Sequence, residues 1–209
     1  MSKYVYFDLD GTLTDPFEGI SKCIAYAMER LGHSRPTDDS LRRFIGPPLL
    51  ETFGELVGHD AAPRALEHYR ERFGEAGWRE NTVYPGIHDS LAAITGAGHR
   101  CFVATTKPHV FARRIVEHFE LAPYFTAVYG SELDGTRTDK TELLSYARRD
   151  RSESRDSLMI GDRYHDVVGA CNNGFRAIGV TWGYGTADEL LGAGADCLAA
   201  APEDLPGLV

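Results

Sequence analysis

The chain has 209 residues, a formal net charge of −9 and a composition ordinary for a globular protein. The acidic balance argues against nucleic acid as a partner, and no apolar run approaches the length of a membrane span. We therefore expect no membrane association. The N-terminus enters structure almost at once and has no signal-peptide layout, so we expect a cytoplasmic protein, as a monomer or homodimer.

The first predicted element is a strand, "YVYFDL", which is apolar on both faces as in a parallel sheet. Asp15 is then predicted to be a helix N-cap, with Pro16 at the first helical position. The helix that follows is predicted to end at Gly32. Its apolar residues at helical spacing are Phe17, Ile20, Ile24, Met28 and Leu31.

Three further helical patterns follow, and no strand pattern is found from residue 15 to about residue 81. Their apolar positions are Leu41, Phe44 and Ile45, then Leu49, Phe53, Leu56 and Val57, and finally Leu66, Tyr69 and Phe73. Residues 15–82 are therefore predicted to form an all-helical domain inserted after the first strand.

Strands and helices alternate after this block. The strands are predicted at "RCFVATT", "TAVYG", "SLMIGD" and "AIGVTW", and the alternation indicates βα units with a parallel sheet. The predicted fold class is α/β: a Rossmann-like core of residues 1–14 and 83–209, with helices on both faces. The stretch "AAAPEDLPG" near the end is expected to be a loose tail.

Cysteines contribute no obvious chemistry. They are far apart and form no CxxC pair, so we predict buried free thiols in a reducing compartment. They are Cys23, Cys101, Cys171 and Cys197.

Carboxylates cluster where predicted strands end, which is where open α/β sheets bind ligands. Asp8 and Asp10 are two residues apart and would face the same side of an extended strand. Two carboxylates about 4 Å apart repel by roughly 4 kcal/mol at an effective dielectric of about 20. Asp162 and Asp166 add negative charge at another strand end. This oxygen-only set suits a hard cation, and we predict Mg²⁺.

Groups that suit a phosphoryl dianion lie at the same predicted edge. Gly11 and Thr12 could present backbone N–H groups, Thr105 a hydroxyl and Lys140 an ammonium. Lys107, next to the two threonines, is an alternative to Lys140. A metal that brings a carboxylate to a dianion makes that carboxylate a nucleophile, so this set indicates an aspartyl-phosphate mechanism.

Together these motifs resemble the haloacid dehalogenase superfamily of phosphatases, whose four signatures they match in order and spacing. The helical insertion resembles that family's α-helical cap, and "TTKP", "LDGTRTDK" and "WGYGT" are most similar to its phosphoglycolate phosphatase group. The matching residues are Asp8-x-Asp10-Gly11-Thr12, Thr105, Lys140 and Gly161-Asp162-x-x-x-Asp166.

The resemblance implies a role for each acid. Asp8 would attack phosphorus, and Asp10 would protonate the leaving alcohol and then activate water as a general base. Mg²⁺ would be held by Asp8, the main-chain carbonyl of Asp10 and Asp162. Asp166 would support the metal through water or orient Lys140.

Substrate binding is implied for a second set of residues. Phosphoryl oxygens would contact Thr105, Lys140 and the N–H of Thr106, which stands where many relatives carry Asn or Ser. The cap is expected to close over the site, with the loop around Arg43 and Gly46 reaching the leaving group. Arg42 is an alternative to Arg43 for recognising an anionic substrate.

Three classes of function remain open at this point. The expected one is a Mg²⁺-dependent phosphomonoesterase, with a phosphoglycolate-type substrate favoured. A nucleoside 5'-monophosphate, pyrophosphate or sugar phosphate is the alternative substrate. The second class is a phosphomutase similar to β-phosphoglucomutase. The third is a phosphate-sensing receiver, which the helical insertion and the order of the DxDGT residues argue against.

Overall fold

The computed structural model describes residues 2–149 and 156–209. Two compact units make up the chain. One, the core unit, comprises Met1–Thr14 and Val83–Val209, and the other, the helical unit, comprises Asp15–Thr82. The chain passes between them in two short paired strands, β2 (Thr14–Asp15) and β3 (Thr82–Val83).

A parallel sheet of six strands forms the centre of the core unit, in the order β5-β4-β1-β6-β7-β8. Its strands are β1 (Tyr4–Phe7), β4 (Arg100–Pro108), β5 (Phe125–Ser131), β6 (Ser157–Gly161), β7 (Arg176–Val180) and β8 (Cys197–Ala199). Every residue of β1 is buried, as its unbroken apolar run predicts for a central strand. The predicted α/β class with a Rossmann-like sheet is confirmed.

Helices connect successive strands and pack against the sheet, so all carboxyl ends of the strands lie at one edge. They are α5 (Ile87–Gly96), α6 (His109–His118), α7 (Lys140–Arg149), α8 (Tyr164–Asn172), α9 (Ala187–Gly192) and α10 (Leu205–Leu208). Aromatic rings stack in the core: Tyr6 lies 5.0 Å from Phe102 and 5.3 Å from Phe175, between ring centroids.

Four helices make up the helical unit: α1 (Phe17–Arg30), α2 (Asp38–Arg42), α3 (Leu49–Val57) and α4 (Ala62–Glu75). Phe53, Tyr69 and Phe73 are buried together between α3 and α4. A close backbone approach joins α1 to the turn after α4. A Cβ on Gly19 would lie 2.2 Å from the carbonyl oxygen of Gly77, so only glycine fits there.

Two predictions about helix ends are wrong. Pro16, not Asp15, occupies the N-cap of α1. Asp15 belongs to β2, and its carboxylate accepts the N–H of Phe17 at 3.0 Å instead. Phe44 and Ile45 are buried but lie beyond the end of α2. Gly46, whose φ of +107° suits a turn, follows them, and Pro47 and Pro48 continue the turn.

The last part of the chain is more ordered than predicted. The "AAAPEDLPG" stretch starts at the end of β8 and continues through a 3₁₀ turn (Pro202–Asp204) into α10. Ser90 on α5 donates to the carbonyl of Pro202 at 2.6 Å, which fixes this segment to the core unit. Pro202 and Leu205 are also buried, so this segment is not a loose tail.

The cysteine prediction is only half right. Cys23 and Cys101 are buried, but Cys171 is exposed on α8 and Cys197 is half-buried in the edge strand. All four are free thiols. Among the described residues, no helix is both long enough and apolar enough to cross a membrane.

An ion pair inside the helical unit gives a first prediction. Arg72 donates to both carboxylate oxygens of Glu80, at 2.7 and 3.0 Å, with both side chains four-fifths buried. We expect Glu80→Gln to lower the free energy of unfolding by about 1–3 kcal/mol, because a charged, bidentate contact is lost. Urea denaturation followed by circular dichroism measures this, with exposed Glu67→Gln as the control.

The same pair sets a pH dependence. Hydrogen bonding to Arg72 lowers the pKa of Glu80 below its ordinary 4.5. Its contribution to stability is thus present above the unfolded-state pKa and is lost as pH falls through the folded-state pKa. The stability difference between wild type and Glu80→Gln should shrink in that acidic range. A difference that stayed constant down to pH 3 would contradict the assignment.

Candidate active site

The turn after β1 places the first two acids at the carboxyl edge of the sheet. The N–H of Asp8 donates to the carbonyl of Ile160 at 2.9 Å, which continues the pairing of β1 with β6. The chain then reverses at Gly11, whose φ is +85° and whose N–H donates to the carbonyl of Thr14 at 2.7 Å. Asp10 therefore stands beside Asp8 in a fixed turn and not in a mobile loop.

Lys140 is buried at the first residue of α7 and bridges two acids. Its Nζ lies 2.9 Å from Asp8 Oδ1 and 2.7 Å from Asp166 Oδ1, and it donates to the carbonyl of Ala104 at 2.8 Å. Burial alone would lower the pKa of Lys140, but the charges of Asp166 and Asp8 outweigh it and raise the pKa. The side chain is 3% exposed, which is not the surface position that an ordinary lysine would take.

Asp162 is held from two sides. Its Oδ2 accepts the N–H of Tyr184 at 2.8 Å, and its Oδ1 accepts the hydroxyl of Thr12 at 3.3 Å. Burial raises the pKa of Asp162 well above its usual value, and the charges of Asp166 and Asp8 raise it further. Sequence analysis assigns the backbone N–H of Thr12 to the substrate; the structure shows that its hydroxyl contacts an acid.

Glycines leave the space in which Asp162 lies. A Cβ on Gly11 would lie 2.2 Å from Asp162 Oδ2, and a Cβ on Gly183 would lie 2.4 Å from Asp162 Cβ. On Gly185 it would lie 2.0 Å from the carbonyl oxygen of Asp162. The "WGYG" segment therefore packs directly on this acid.

Asp166 performs two structural tasks. Its Oδ2 accepts the N–H of Arg163 at 3.1 Å and so caps α8, while its Oδ1 pairs with Lys140. Burial raises the pKa of Asp166, although Lys140 opposes this shift. A Cβ on Gly161 would lie 2.2 Å from Asp166 Cγ, so β6 must end in glycine for this acid to reach the lysine.

The acids fit a divalent cation. Asp8, Asp162 and Asp166 each offer a carboxylate oxygen, and these oxygens lie within 4.8 Å of one another. Lys140 is shared between two of the three acids, and the pKa of Asp162 is raised partly by the charges of the other two. A hard cation would relieve this excess of buried negative charge, and oxygen ligands are the ones Mg²⁺ prefers.

The end of β4 brings a second lysine to the site. Thr105 is buried, and its hydroxyl accepts the N–H of Lys107 at 3.2 Å. Lys107 Nζ lies 2.5 Å from Asp10 Oδ2, with the two side chains 7% and 15% exposed. Sequence analysis treated Lys107 as an alternative to Lys140, whereas the structure brings both lysines to the acids.

Two predicted substrate residues belong to the helical unit. Arg43 lies 3.7 Å from Glu55 and stacks over the ring of Phe44, and its side chain is mostly exposed. Gly46 forms the turn with positive φ that precedes α3. Their roles in substrate binding stay predictions, as does that of the Thr106 N–H.

Comparison with known proteins identifies the family. The family model described as "Haloacid dehalogenase-like hydrolase" matches residues 5–180. The chain belongs to this family. The match runs from β1 to the end of β7 and so includes all the clustered acids and both lysines.

Curated relatives carry several names. A 5'-nucleotidase from Pseudomonas aeruginosa is 50% identical over 189 residues, which is 89% of this chain and 86% of that protein. The tyrosine-protein kinase PtkA of Mycobacterium tuberculosis is 38% identical over 88% of this chain and 64% of its own length. A phosphoglycolate phosphatase from Agrobacterium fabrum is 30% identical over 88% of this chain and 82% of its own length.

A solved structure agrees with the fold. A crystal structure described as a predicted phosphatase from Clostridium acetobutylicum superposes with a TM-score of 0.93 and is 41% identical, covering 100% of this chain and 98% of that one. With the family match and the named relatives, this establishes the chain as a phosphatase of the haloacid dehalogenase-like family.

The packing of Gly183 on Asp162 gives a second prediction. Gly183→Ala should weaken Mg²⁺ binding by roughly 10- to 100-fold, because the added methyl group displaces a carboxylate that its surroundings orient. Isothermal titration calorimetry and the Mg²⁺ dependence of p-nitrophenyl phosphate hydrolysis measure the change. Gly192→Ala is the matched control, since a Cβ there meets no described atom within 4 Å. Unchanged Mg²⁺ affinity in a folded Gly183→Ala protein would refute the role.

Proposed function

We propose that this phosphatase hydrolyses a phosphate monoester in two steps, with Asp8 as the nucleophile and Mg²⁺ as the cofactor. The observation that carries the proposal is the buried Lys140 ammonium between Asp8 and Asp166. A lysine in that position neutralises charge beside the attacking carboxylate and can bind a phosphoryl oxygen. Asp8 Oδ1 is fixed by this contact, which orients the carboxylate for attack.

Asp8, Asp162 and Asp166 would hold the cation, with the Asp10 carbonyl as a further ligand. When bound, Mg²⁺ supplies electrostatic stabilisation of the phosphoryl dianion as it meets an anionic nucleophile. Tyr184 and Thr12 hold Asp162 for this purpose. Asp166 also keeps Lys140 in place, which supports the orienting role expected of it.

Asp10 would exchange the proton in both steps. In the first, it gives a proton to the ester oxygen as the P–O bond breaks and Asp8 becomes phosphorylated. In the second, it takes a proton from the water that attacks the aspartyl phosphate. Burial raises the pKa of Asp10, although Lys107 opposes the shift, and this favours a protonated acid before the first step.

Phosphoryl oxygens would be bound by Lys140, the hydroxyl of Thr105 and the main-chain N–H of Thr106. The predicted role of Gly11 in substrate binding finds no support, because its N–H donates to Thr14 and Asp162 fills the position of its Cβ. The buried position of Thr105 beside Ala104, whose carbonyl binds Lys140, supports a shared role for the two side chains.

For the substrate we propose a nucleoside 5'-monophosphate. The support is the 5'-nucleotidase relative, which is 50% identical over most of both chains. Phosphoglycolate, which sequence analysis favours, becomes the second candidate, because its named relative is 30% identical. Arg43 and Gly46 would belong to the part of the protein that selects between them.

Replacement of the nucleophile tests the chemistry. Asp8→Asn should lower kcat for p-nitrophenyl phosphate by at least roughly 10³-fold, because the covalent route is lost. Wild-type enzyme quenched during turnover should carry one phosphoryl group by intact mass spectrometry, and the variant none. Asp188→Asn, an exposed acid of the core unit, is the control. Near-normal turnover by Asp8→Asn would remove the nucleophile assignment.

A substrate panel tests specificity. We expect kcat/KM for the best nucleoside 5'-monophosphate to exceed that for phosphoglycolate by at least about tenfold, a difference of about 1.4 kcal/mol in transition-state binding. Free phosphate release is measured for both, and for pyrophosphate. A sugar 1-phosphate converted to its 6-phosphate with little free phosphate would instead identify a mutase. Equal or reversed preference would favour phosphoglycolate.

A further inference from the structure

A bulge at the end of β4 determines where Lys107 points. Thr105 pairs with Gly130 and Pro108 pairs with Ser131, so two residues of β4, Thr106 and Lys107, have no counterpart in β5. Such a bulge re-aims the side chains it contains, and bulges are common beside active sites. Lys107 therefore leaves the alternation of the strand and reaches the turn after β1, where Asp10 lies.

Three neighbouring residues stabilise this bulge. The Thr105 hydroxyl accepts the N–H of Lys107 at 3.2 Å, and the Ser131 hydroxyl donates to the carbonyl of Thr106 at 2.7 Å. A Cβ on Gly130 would lie 2.7 Å from the carbonyl oxygen of Lys107 and 2.6 Å from the Cα of His109. These contacts stabilise the bulge, and the bulge in turn determines the direction of the Lys107 side chain.

The two lysines divide the two acids between them. Lys140 lies between Asp8 and Asp166 and donates to the main-chain carbonyl of Ala104. Asp10 pairs with Lys107 instead, through Oδ2 at 2.5 Å. Its other oxygen, Oδ1, is buried and has no hydrogen-bond partner among the described residues.

We propose that Lys107 is a positioning residue for Asp10: it binds Oδ2 and so leaves Oδ1 as the atom that exchanges the proton with the leaving group. The inference rests on the proposed function, because it needs Asp10 as the acid and base. The proton on Oδ1 passes to the ester oxygen as the P–O bond breaks, and Oδ1 later accepts one proton from water. Lys107 itself gains and loses no proton.

Leaving-group dependence tests the proposal, because an alkoxide needs protonation far more than p-nitrophenolate does. Asp10→Asn and Lys107→Met should both lower kcat/KM for the best alkyl monoester of the panel more than for p-nitrophenyl phosphate. For Lys107→Met we expect this selective loss to be about tenfold or more. Lys107→Gln keeps a hydrogen-bond donor without the charge, so it should show a smaller selective loss of kcat/KM for the alkyl ester. This second variant also keeps the test valid if Lys107→Met does not fold.

A double-mutant cycle separates positioning from direct substrate binding. If Lys107 acts through Asp10, adding Lys107→Met to Asp10→Asn should change kcat/KM less than about twofold. If Lys107→Met lowered kcat/KM as much in the Asp10→Asn background as in the wild-type background, Lys107 would act on the substrate or on stability. That result would overturn the inference. A selective loss in Asp10→Asn without one in folded Lys107→Met or Lys107→Gln would also overturn it. Equal losses on both esters in Asp10→Asn would reject the proposed acid itself, and the inference with it.

Discussion

The buried ammonium of Lys140 is the interaction on which the arrangement of the site depends. Transfer of an ammonium from water to a protein interior costs several kcal/mol unless charged partners offset it. Asp8 supplies one partner from the end of β1 and Asp166 supplies the other from the first turn of α8, while the carbonyl of Ala104 in β4 supplies a third acceptor. One side chain thus ties β1, β4 and the start of α8 together at the edge where substrate is expected. Removal of any partner would leave uncompensated buried charge.

Glycines make this density of charged groups possible. Asp162 and Asp166 lie where the Cβ atoms of Gly11, Gly183 and Gly161 would otherwise be. A side chain at any of these positions would push an acid away from its hydrogen-bond donors or from Lys140. Because the free energy of the ion pairs depends on distances near 3 Å, the glycines contribute to the electrostatics although they carry no charge.

Sequence alone predicted the parts of the site that follow strand periodicity. Asp8, Asp10, Asp162 and Asp166 follow apolar runs, and parallel strands bring such positions to one edge. Lys107 was ranked below Lys140 because Lys140 follows the "DGTRTD" loop, as the pattern of the resembling family requires. The contact of Lys107 with Asp10 was not predicted, because the bulge that produces it depends on Gly130 and Ser131 of the neighbouring strand.

The errors at element ends have the same origin. Asp is a residue type that commonly occupies the N-cap, but Asp15 belongs to strand β2, and Pro16 occupies the N-cap of α1. The final residues have the composition of a loop, but a contact from Ser90 orders them. In each case a partner distant in sequence decided the local conformation, and a local pattern carries no information about it.

The like-charge conflict between Asp8 and Asp10 is resolved by separation of their partners. Each acid has its own ammonium, Lys140 or Lys107, so the two carboxylates can stand side by side in one turn and still differ in task. The acid beside Lys140 lies close to Asp162 and Asp166 and would therefore face the proposed cation. The acid beside Lys107 lies outside that cluster, and burial favours its protonated form. In the proposed mechanism, the different cations beside the two carboxylates would let one serve as the nucleophile and the other as the proton carrier.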